Sequence, residues 1–391
     1  MKLTRIPFLA VLIFTASFSL QAAEPDSGKI GVFASSHSDA AEWWTIPYPG
    51  RFDRSLLSKE QPVISVKGNG FVDEKGNTFV FRGVSIADPD KLAREGEWDK
   101  SLFEEVHRWG ANHIRLPIHP IAWRHRGEGW YFARLDEAVS WANALGMYLV
   151  FDWHSIGNLE TEMFQHPQYV TSLAETANFW KSIAHRYKGV ATAAVYEIFN
   201  EPTDDFVGAG KGSLGKSSWD DWRDTLEDLI DLVYIYDPDV IPLVAGFNWA
   251  YDLGPVADKP IRREGVAYAI HPYPQKSRPD SNTREAFHDA WQKHWGWVAE
   301  SYPVIATELG WVREDGHGAH IPVINNDGSY GPNIVSFMEE RGISWTAWCF
   351  DPRWSPTMIR DWDFTATEQG IFFKEVMQRT RDGLSPLAAR P

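Results

Sequence analysis

The chain is short of cysteine, of positive charge and of long apolar runs, and each shortage excludes something. One cysteine, Cys349, stands among 391 residues. No internal disulfide can form, so the apolar core must hold the fold unaided. Cys349 lies in the apolar run 343–350. A buried, inert thiol is expected there, because thiolate chemistry needs exposure and a nearby positive group. Basic side chains number 38 against 53 acidic ones, a formal charge of −15. Nucleic acid or an acidic membrane surface would need a positive field, so neither is expected as a partner. After the first residues no run approaches the roughly 18 apolar residues of a membrane span, so no stable membrane insertion is expected. His-Glu-x-x-His, paired cysteines and an acidic calcium loop are all missing, so no metal and no other cofactor is expected. No Asn-x-Ser/Thr acceptor for glycosylation occurs.

Hydrophobic residues make up 43% and charged residues 23%, which suits a globular chain and rules out a disordered or collagen-like one. Tryptophan is abundant, at 20 residues. Most indoles serve packing, but their flat apolar faces also suit stacking on sugar rings. Lys2 and Arg5 precede an apolar stretch with Val11, Leu12, Ile13 and Phe14 at its centre, and Gln21, Ala22 and Ala23 follow. That is the pattern of a cleavable signal peptide over 1–23, and it predicts a secreted or periplasmic protein. No cysteine follows the stretch, so a lipoprotein anchor is not expected. Residues 24–65 show no period and read as an N-terminal extension. The rest, 66–391, reads as one catalytic domain with no separate carbohydrate-binding module.

That domain opens with a β-hairpin, strands near 70–72 and 78–81 around the turn 73–77. Short apolar runs then alternate with helix-period segments. The runs are 79–87, 113–118, 148–154, 193–200, 242–247, 266–271, 304–308 and 343–350. The stretches between them carry apolar residues three and four apart, such as Trp219, Trp222, Leu226, Leu229, Ile230 and Val233. Only 240–265 has a weak helix signal, broken by Gly254, Pro255 and Pro260. The repeating order predicts an α/β fold, a single (β/α)8 TIM barrel, with a doubly wound open sheet as the alternative.

Active sites of such barrels form at the C-terminal strand ends. Arg115 stands on the second run, Asp152-Trp153-His154 end the third, and Asn200-Glu201 end the fourth. His271-Pro272-Tyr273 end the sixth, Thr307-Glu308 the seventh, and Trp348 stands on the eighth. Two carboxyls facing each other across a barrel mouth suit glycoside hydrolysis, where one protonates the leaving oxygen and the other attacks or activates water. Either glutamate alone would be an ordinary solvated charge. Glu197 shares strand parity with Glu201 and is a rival, read as an inward barrel residue paired with Arg115. Asn200 and Glu201 are adjacent, so a regular strand would point them to opposite faces, and the strand must bulge or end there.

Ile198-Phe199-Asn200-Glu201-Pro202 resembles the signature of glycoside hydrolase family 5, the cellulase family of the barrel-glycosidase clan A. Ile114-Arg115-Leu116-Pro117, Asp152-Trp153-His154, His271-Pro272-Tyr273, Glu308-Leu309-Gly310 and Trp348 are similar to its other motifs, in the same strand order. The resemblance runs from about residue 66 to the end of the last helical stretch. It implies Glu201 as general acid/base and Glu308 as nucleophile, the latter kept ionised by Arg115 and Tyr273. It also implies that Asn200 holds the sugar 2-hydroxyl, that His154 and His271 line the cleavage subsite, and that Trp348 lies beneath the sugar. Thr307 departs from the family, which usually has glycine before the nucleophile. The expected activity is that of a secreted retaining endo-β-1,4-glucanase acting on a β-linked polysaccharide or oligosaccharide, with mannanase, xylanase or another β-glucanase as alternatives. Trp123, Trp153, Trp311 and Trp354 lie near strand ends and could form outer subsites or pack loops.

Two readings of other classes compete. Residues 210–217, Gly-Lys-Gly-Ser-Leu-Gly-Lys-Ser, match the phosphate-loop pattern of a nucleotide triphosphatase. That loop needs a buried strand before it, and 202–206 make a poor one. A non-catalytic glycan-binding barrel would keep the aromatic platforms and lose a catalytic carboxyl, but both are present.

Overall fold

The computed structural model describes residues 50–204, 217–277, 279, 281, 283–312 and 329–387. The signal segment, most of the extension and residues 210–216 of the phosphate-loop match lie outside them.

Eight parallel strands close into a barrel, which excludes the open sheet. In order they are Arg82–Ser85, His113–Ile118, Tyr148–Trp153, Val195–Glu197, Ile241–Ala245, Ala267–Ile270, Val304–Leu309 and Ser344–Ala347. The eighth pairs with the first through Trp345 and Arg82, completing the ring. Helices cover the outside, and their ends follow local chemistry. Ser172, Ser218, Thr283 and Thr367 cap helices by accepting a backbone N–H of the first turn. Each such cap stabilises by about 1 kcal/mol. The fifth strand lacks a full helix, as its broken pattern predicts: Phe247–Ala250 and a 3-10 turn at Gly254–Ala257 stand there.

Between strands and helices lies the main apolar layer, which includes the buried Trp109, Trp180, Trp222, Trp291 and Trp345. A second apolar cluster fills the barrel, with the small residues Ala245, Ala267 and Ala269 facing Tyr148 and Val150. Its lower end is plugged by the predicted hairpin, Gly70–Val72 with Thr78–Phe79, which gains a third strand at Ser65–Lys67. Phe71 and Phe79 pack edge-on against Phe81 at 5.2 and 4.8 Å. With the lower end sealed, the polar strand-end residues gather at the other end.

The fourth strand is shorter than its apolar run. It stops at Glu197, and Glu201–Pro202 pair instead with Ile156–Asn158, outside the barrel sheet. This is how adjacent Asn200 and Glu201 both reach the mouth. The Ser217 backbone N–H donates to the Asp204 carbonyl at 2.9 Å.

Candidate active site

The mouth holds a cavity of about 560 Å³ lined by His154, Tyr169, Glu201, Tyr273, Glu308 and Trp348. Of the site residues picked from the sequence, Glu201, Glu308, His154, Tyr273 and Trp348 line this cavity, Arg115 and His271 bond to its carboxyls, and Asn200 bonds to Arg115. Glu308 ends the seventh strand beside Glu201. One oxygen of each, together with a ring nitrogen of His271, lie within 4.8 Å of one another. Gly310 shapes this end of the strand: a Cβ there would stand 2.8 Å from the Trp348 carbonyl, so only glycine lets the two backbones approach.

Arg115 sits beneath the carboxyls, wholly buried, and its charge is divided. Its Nε donates to Glu197 at 2.6 Å, its Nη2 to Asn200 Oδ1 at 2.6 Å, and its Nη1 to Glu308 at 3.2 Å. Asp152 is a further partner at 2.9 Å. Tyr273 O–H donates to the second oxygen of Glu308 at 2.8 Å. These two contacts on Glu308 are the ones expected, but they do not set the sign of its shift. Burial pushes the Glu308 carboxyl up from its ordinary value, against the pull of His271 and Arg115. The physical reason is that one guanidinium is shared among three carboxyls. Glu197, held by the shortest of the ionic bonds, goes the other way, and Arg115 outweighs burial to bring it down to about 2. Burial raises Asp152 well above its usual value, with the Glu197 and Glu308 charges adding to the effect. Glu197 is thus the inward partner of Arg115 that strand parity suggests.

His271 links the two halves of the site. Its Nδ1 lies 2.8 Å from Glu201 Oε1 and its Nε2 lies 3.0 Å from Thr307 Oγ1. Burial alone would lower its pKa, but Glu308, Glu197 and Glu201 outweigh it and raise the value to about 9. Near neutrality both ring nitrogens then carry protons, so His271 donates to Glu201 and to Thr307, and Thr307 donates onward to Glu197 at 2.7 Å. A continuous path runs from Glu201 through His271, Thr307, Glu197 and Arg115 to Glu308. Glu201, His271 and Glu308 are also grouped as metal ligands would be. Thr307, which looked like a small departure in the sequence, is a member of this path. Its only sequence signal was that departure.

Asn200 spends its oxygen on Arg115, while its Nδ2 is buried with no partner among the described residues. A buried donor without a partner costs about 1–3 kcal/mol, and Asn200 stands directly before Glu201, which lines the cavity. Trp348 stacks parallel to His154, with ring centres 5.6 Å apart and planes 4° apart. His154 Nδ1 is held by Asp152 at 2.6 Å. Burial, then the positive fields of neighbouring His119, Arg115 and His271, keep His154 well below the ordinary imidazole value and neutral.

The four candidate outer tryptophans divide. Trp153 is fully buried and stacks on Phe179 at 4.2 Å, so it is a packing residue. Trp123 packs on Tyr131 and Phe179, and Trp311 on Tyr330 and Phe373. Only Trp354 stands at the site, stacked on Trp348 with centres 5.8 Å apart and planes at 15°. Sequence reading missed Trp249, on the cavity wall. It sits in a run of left-handed residues, Asn248, Trp249 and Ala250, with φ of 58°, 55° and 57°, a conformation costly without glycine. Lys276 steadies it, donating to the Asn248 carbonyl at 2.7 Å and lying 4.6 Å from the centre of the Trp249 ring.

The chain is similar to known proteins. The cellulase family model, glycosyl hydrolase family 5, matches residues 72–353. The crystal structure of β-glucanase SdGluc5_26A from Saccharophagus degradans is 57% identical, covers 87% of this chain and 99% of that one, and superposes with a TM-score of 0.82. That protein has also been solved in complex with cellotetraose. Endoglucanase E-5 of Thermobifida fusca is 27% identical over 300 residues, 73% of this chain and 55% of that protein. Endoglucanase A of Butyrivibrio fibrisolvens is 28% identical over 65% of this chain and 53% of its own length. The chain spans about half the length of these curated relatives. On the family match across most of its barrel, the chain belongs to the cellulase family, glycosyl hydrolase family 5.

Proposed function

We propose that the protein is an exported endo-β-1,4-glucanase that hydrolyses its substrate with retention of configuration. The observation that carries the mechanism is the approach of Glu201 and Glu308, whose nearer oxygens lie within 4.8 Å. Retaining pairs stand about 5–5.5 Å apart, whereas inverting pairs need about 6.5–9.5 Å to admit water. Substrate class is supported by likeness to a β-glucanase that binds cellotetraose and to curated endoglucanases.

In the first step a Glu308 oxygen attacks the anomeric carbon. The bond to the leaving oxygen breaks, and Glu201 gives that oxygen its proton. A glycosyl ester on Glu308 results. In the second step Glu201 takes a proton from water, the water oxygen bonds the anomeric carbon, and Glu308 leaves as carboxylate. Asn200 Nδ2 donates to the 2-hydroxyl, where bonds strengthen as the oxocarbenium character grows. Trp348 supports the ring being cleaved.

Proton NMR of early product should show the β-anomer first; an α-anomer first would overturn the retaining mechanism. Glu201→Ala with azide and an activated aryl cellobioside should yield the β-glycosyl azide. Glu308→Ala should yield the α-azide or nothing, and swapped products would reverse the assignment. A reducing-sugar screen across cellulose, mannan, xylan, lichenan and laminarin should favour the β-glucans. Preference for mannan or xylan would overturn the substrate. Export predicts a mature N-terminus near Ala23 or Glu24, and an intact mass retaining residues 1–22 would count against it.

A further inference from the structure

The lower end of the barrel carries a cavity of its own, of about 480 Å³. Four basic side chains line it, Arg51, Arg54, Arg186 and Lys188, with one acidic one, Asp239. Lys188 precedes the fourth barrel strand and Asp239 the fifth, so the cavity lies at the end opposite to Glu201 and Glu308. The chain as a whole has a formal charge of −15, and its arginines commonly meet carboxylates, as Arg82 meets Glu339 and Arg124 meets Glu175. In this cavity Arg186 does so, spending its charge on Asp136 at 2.5 Å. Arg51, Arg54 and Lys188 have no carboxylate partner among the described residues. Against Asp239 alone they leave a surplus of positive charge.

The two arginines are held in place by distant backbone. Arg51 Nη1 donates to the His185 carbonyl at 2.8 Å. Arg54 Nη2 donates to the carbonyls of Lys188 and Gly189 at 3.1 and 2.8 Å. These carbonyls end or follow the helix Leu173–Tyr187, so part of each guanidinium caps a helix terminus. Gly189, left-handed at φ 65°, makes room for this: a Cβ there would stand 2.9 Å from Arg54 Nη2. A guanidinium has five N–H donors, and capping occupies one nitrogen of each arginine. The other nitrogens keep their donors, fixed in direction by the capped one. Lys188 spends nothing, as its ammonium has no partner among the described residues.

Two anchored guanidiniums and a free ammonium around one recess suit a group with several anionic oxygens, which guanidinium forks take in pairs. The volume falls within the range of about 300–1,000 Å³ found for small-molecule pockets, which favours a ligand larger than a free ion. We propose that this cavity binds a phosphate group carried by a sugar-sized molecule, with Arg51, Arg54 and Lys188 as the donors. The barrel stands between this cavity and the mouth, so the ligand and a glycan chain can be held at the same time.

Binding rather than turnover tests this, so it stands or falls apart from the β-glucanase reading. Isothermal titration calorimetry with glucose 6-phosphate, inorganic phosphate and glucose, at one low ionic strength, should show saturable binding of glucose 6-phosphate, weaker binding of phosphate and none of glucose. Phosphate binding more tightly than glucose 6-phosphate would overturn the sugar-sized ligand. Lys188→Glu breaks no bond within the protein, so it should keep the ligand-free melting temperature. It should weaken binding about tenfold or more, the loss of one charge-assisted bond. Arg51→Gln should weaken it by a similar factor. Saturating glucose 6-phosphate should raise the melting temperature of the wild type, and at the same concentration should raise that of Lys188→Glu less. Hydrolysis of soluble β-glucan should be unchanged by the bound ligand. No saturable binding, an affinity unchanged in Lys188→Glu, or displacement of the ligand by cellotetraose, which would put it in the mouth, would each overturn the inference.

Discussion

Of the clusters of arginine and carboxylate on this barrel, one lies in its mouth and another on its flank. In the mouth, Arg115 meets Glu197, Asp152 and Glu308 at 2.6, 2.9 and 3.2 Å. On the flank, Arg263 meets Asp231 and Glu227 at 2.5 and 3.2 Å, and Arg262 meets Asp224 and Glu227 at 2.5 and 2.7 Å. The distances are alike and the residue types identical. The surroundings differ: the Arg115 side chain is fully buried, while those of Arg262 and Arg263 are 56% and 31% exposed. Water around the flank screens each pair, so those arginines tie the segment after the missing fifth helix to the acidic helix Trp219–Tyr236 and do little else. In the mouth nothing screens them, and the same chemistry becomes a field that sets the protonation of four neighbours. Burial turns a tether into a control element.

The comparison can be broken at its strong end first. Arg115→Met should cost about 3–5 kcal/mol of unfolding free energy, because it strands buried carboxylates without their counter-charge. It should also leave hydrolysis near background. Chemical denaturation and reducing-sugar release measure both, and a loss below about 1 kcal/mol would show the mouth to be no different from the flank.

The relay through Thr307 comes next. His271 has a folded-state pKa of about 9 against an ordinary 6.5. Its contribution to stability is therefore complete below 6.5 and lost as pH rises through about 9. Thr307→Val removes the hydroxyl that accepts from His271 and donates to Glu197, at a cost of about 1–3 kcal/mol. In thermal melts across this range the alkaline loss of stability should begin at lower pH than in wild type. The alkaline limb of kcat/KM should move the same way, and Thr307→Ser should restore both. An unchanged alkaline limb would remove Thr307 from the path. The smallest effect belongs to the flank. Arg263→Ala should cost less than about 1 kcal/mol, shrinking further in high salt, with turnover unchanged.

The residues that end apolar runs were legible before any coordinates. Arg115, His154, Glu201, His271 and Glu308 each close or interrupt a strand signal, and the barrel rule brings strand ends together. Trp153 could also have been settled by parity. Asp152 points inward to Arg115, so the next residue on the strand must face the helices. Trp249 and Lys276, which line the cavity, were invisible for a different reason. They follow the strands on short connections, where no periodicity says which way a side chain turns. The direction of the Glu308 shift was hidden too, because it depends on how many carboxyls divide one guanidinium. The early end of the fourth strand was foreshadowed only by the conflict between Asn200 and Glu201.

The path joining the two glutamates has a consequence for the energetics of turnover. Under double displacement, ester formation erases the negative charge of Glu308 while proton donation creates one on Glu201. The mouth therefore holds the same total charge before and after the step, and one unit of it has moved less than 4.8 Å. His271 stands 2.8 Å from Glu201 and 3.8 Å from Glu308, so its positive ring faces the charge at either address. A fixed positive group that already faces both positions lowers the reorganisation that water would demand. The second step runs the same transfer backwards, leaving the mouth as it began, set for the next chain.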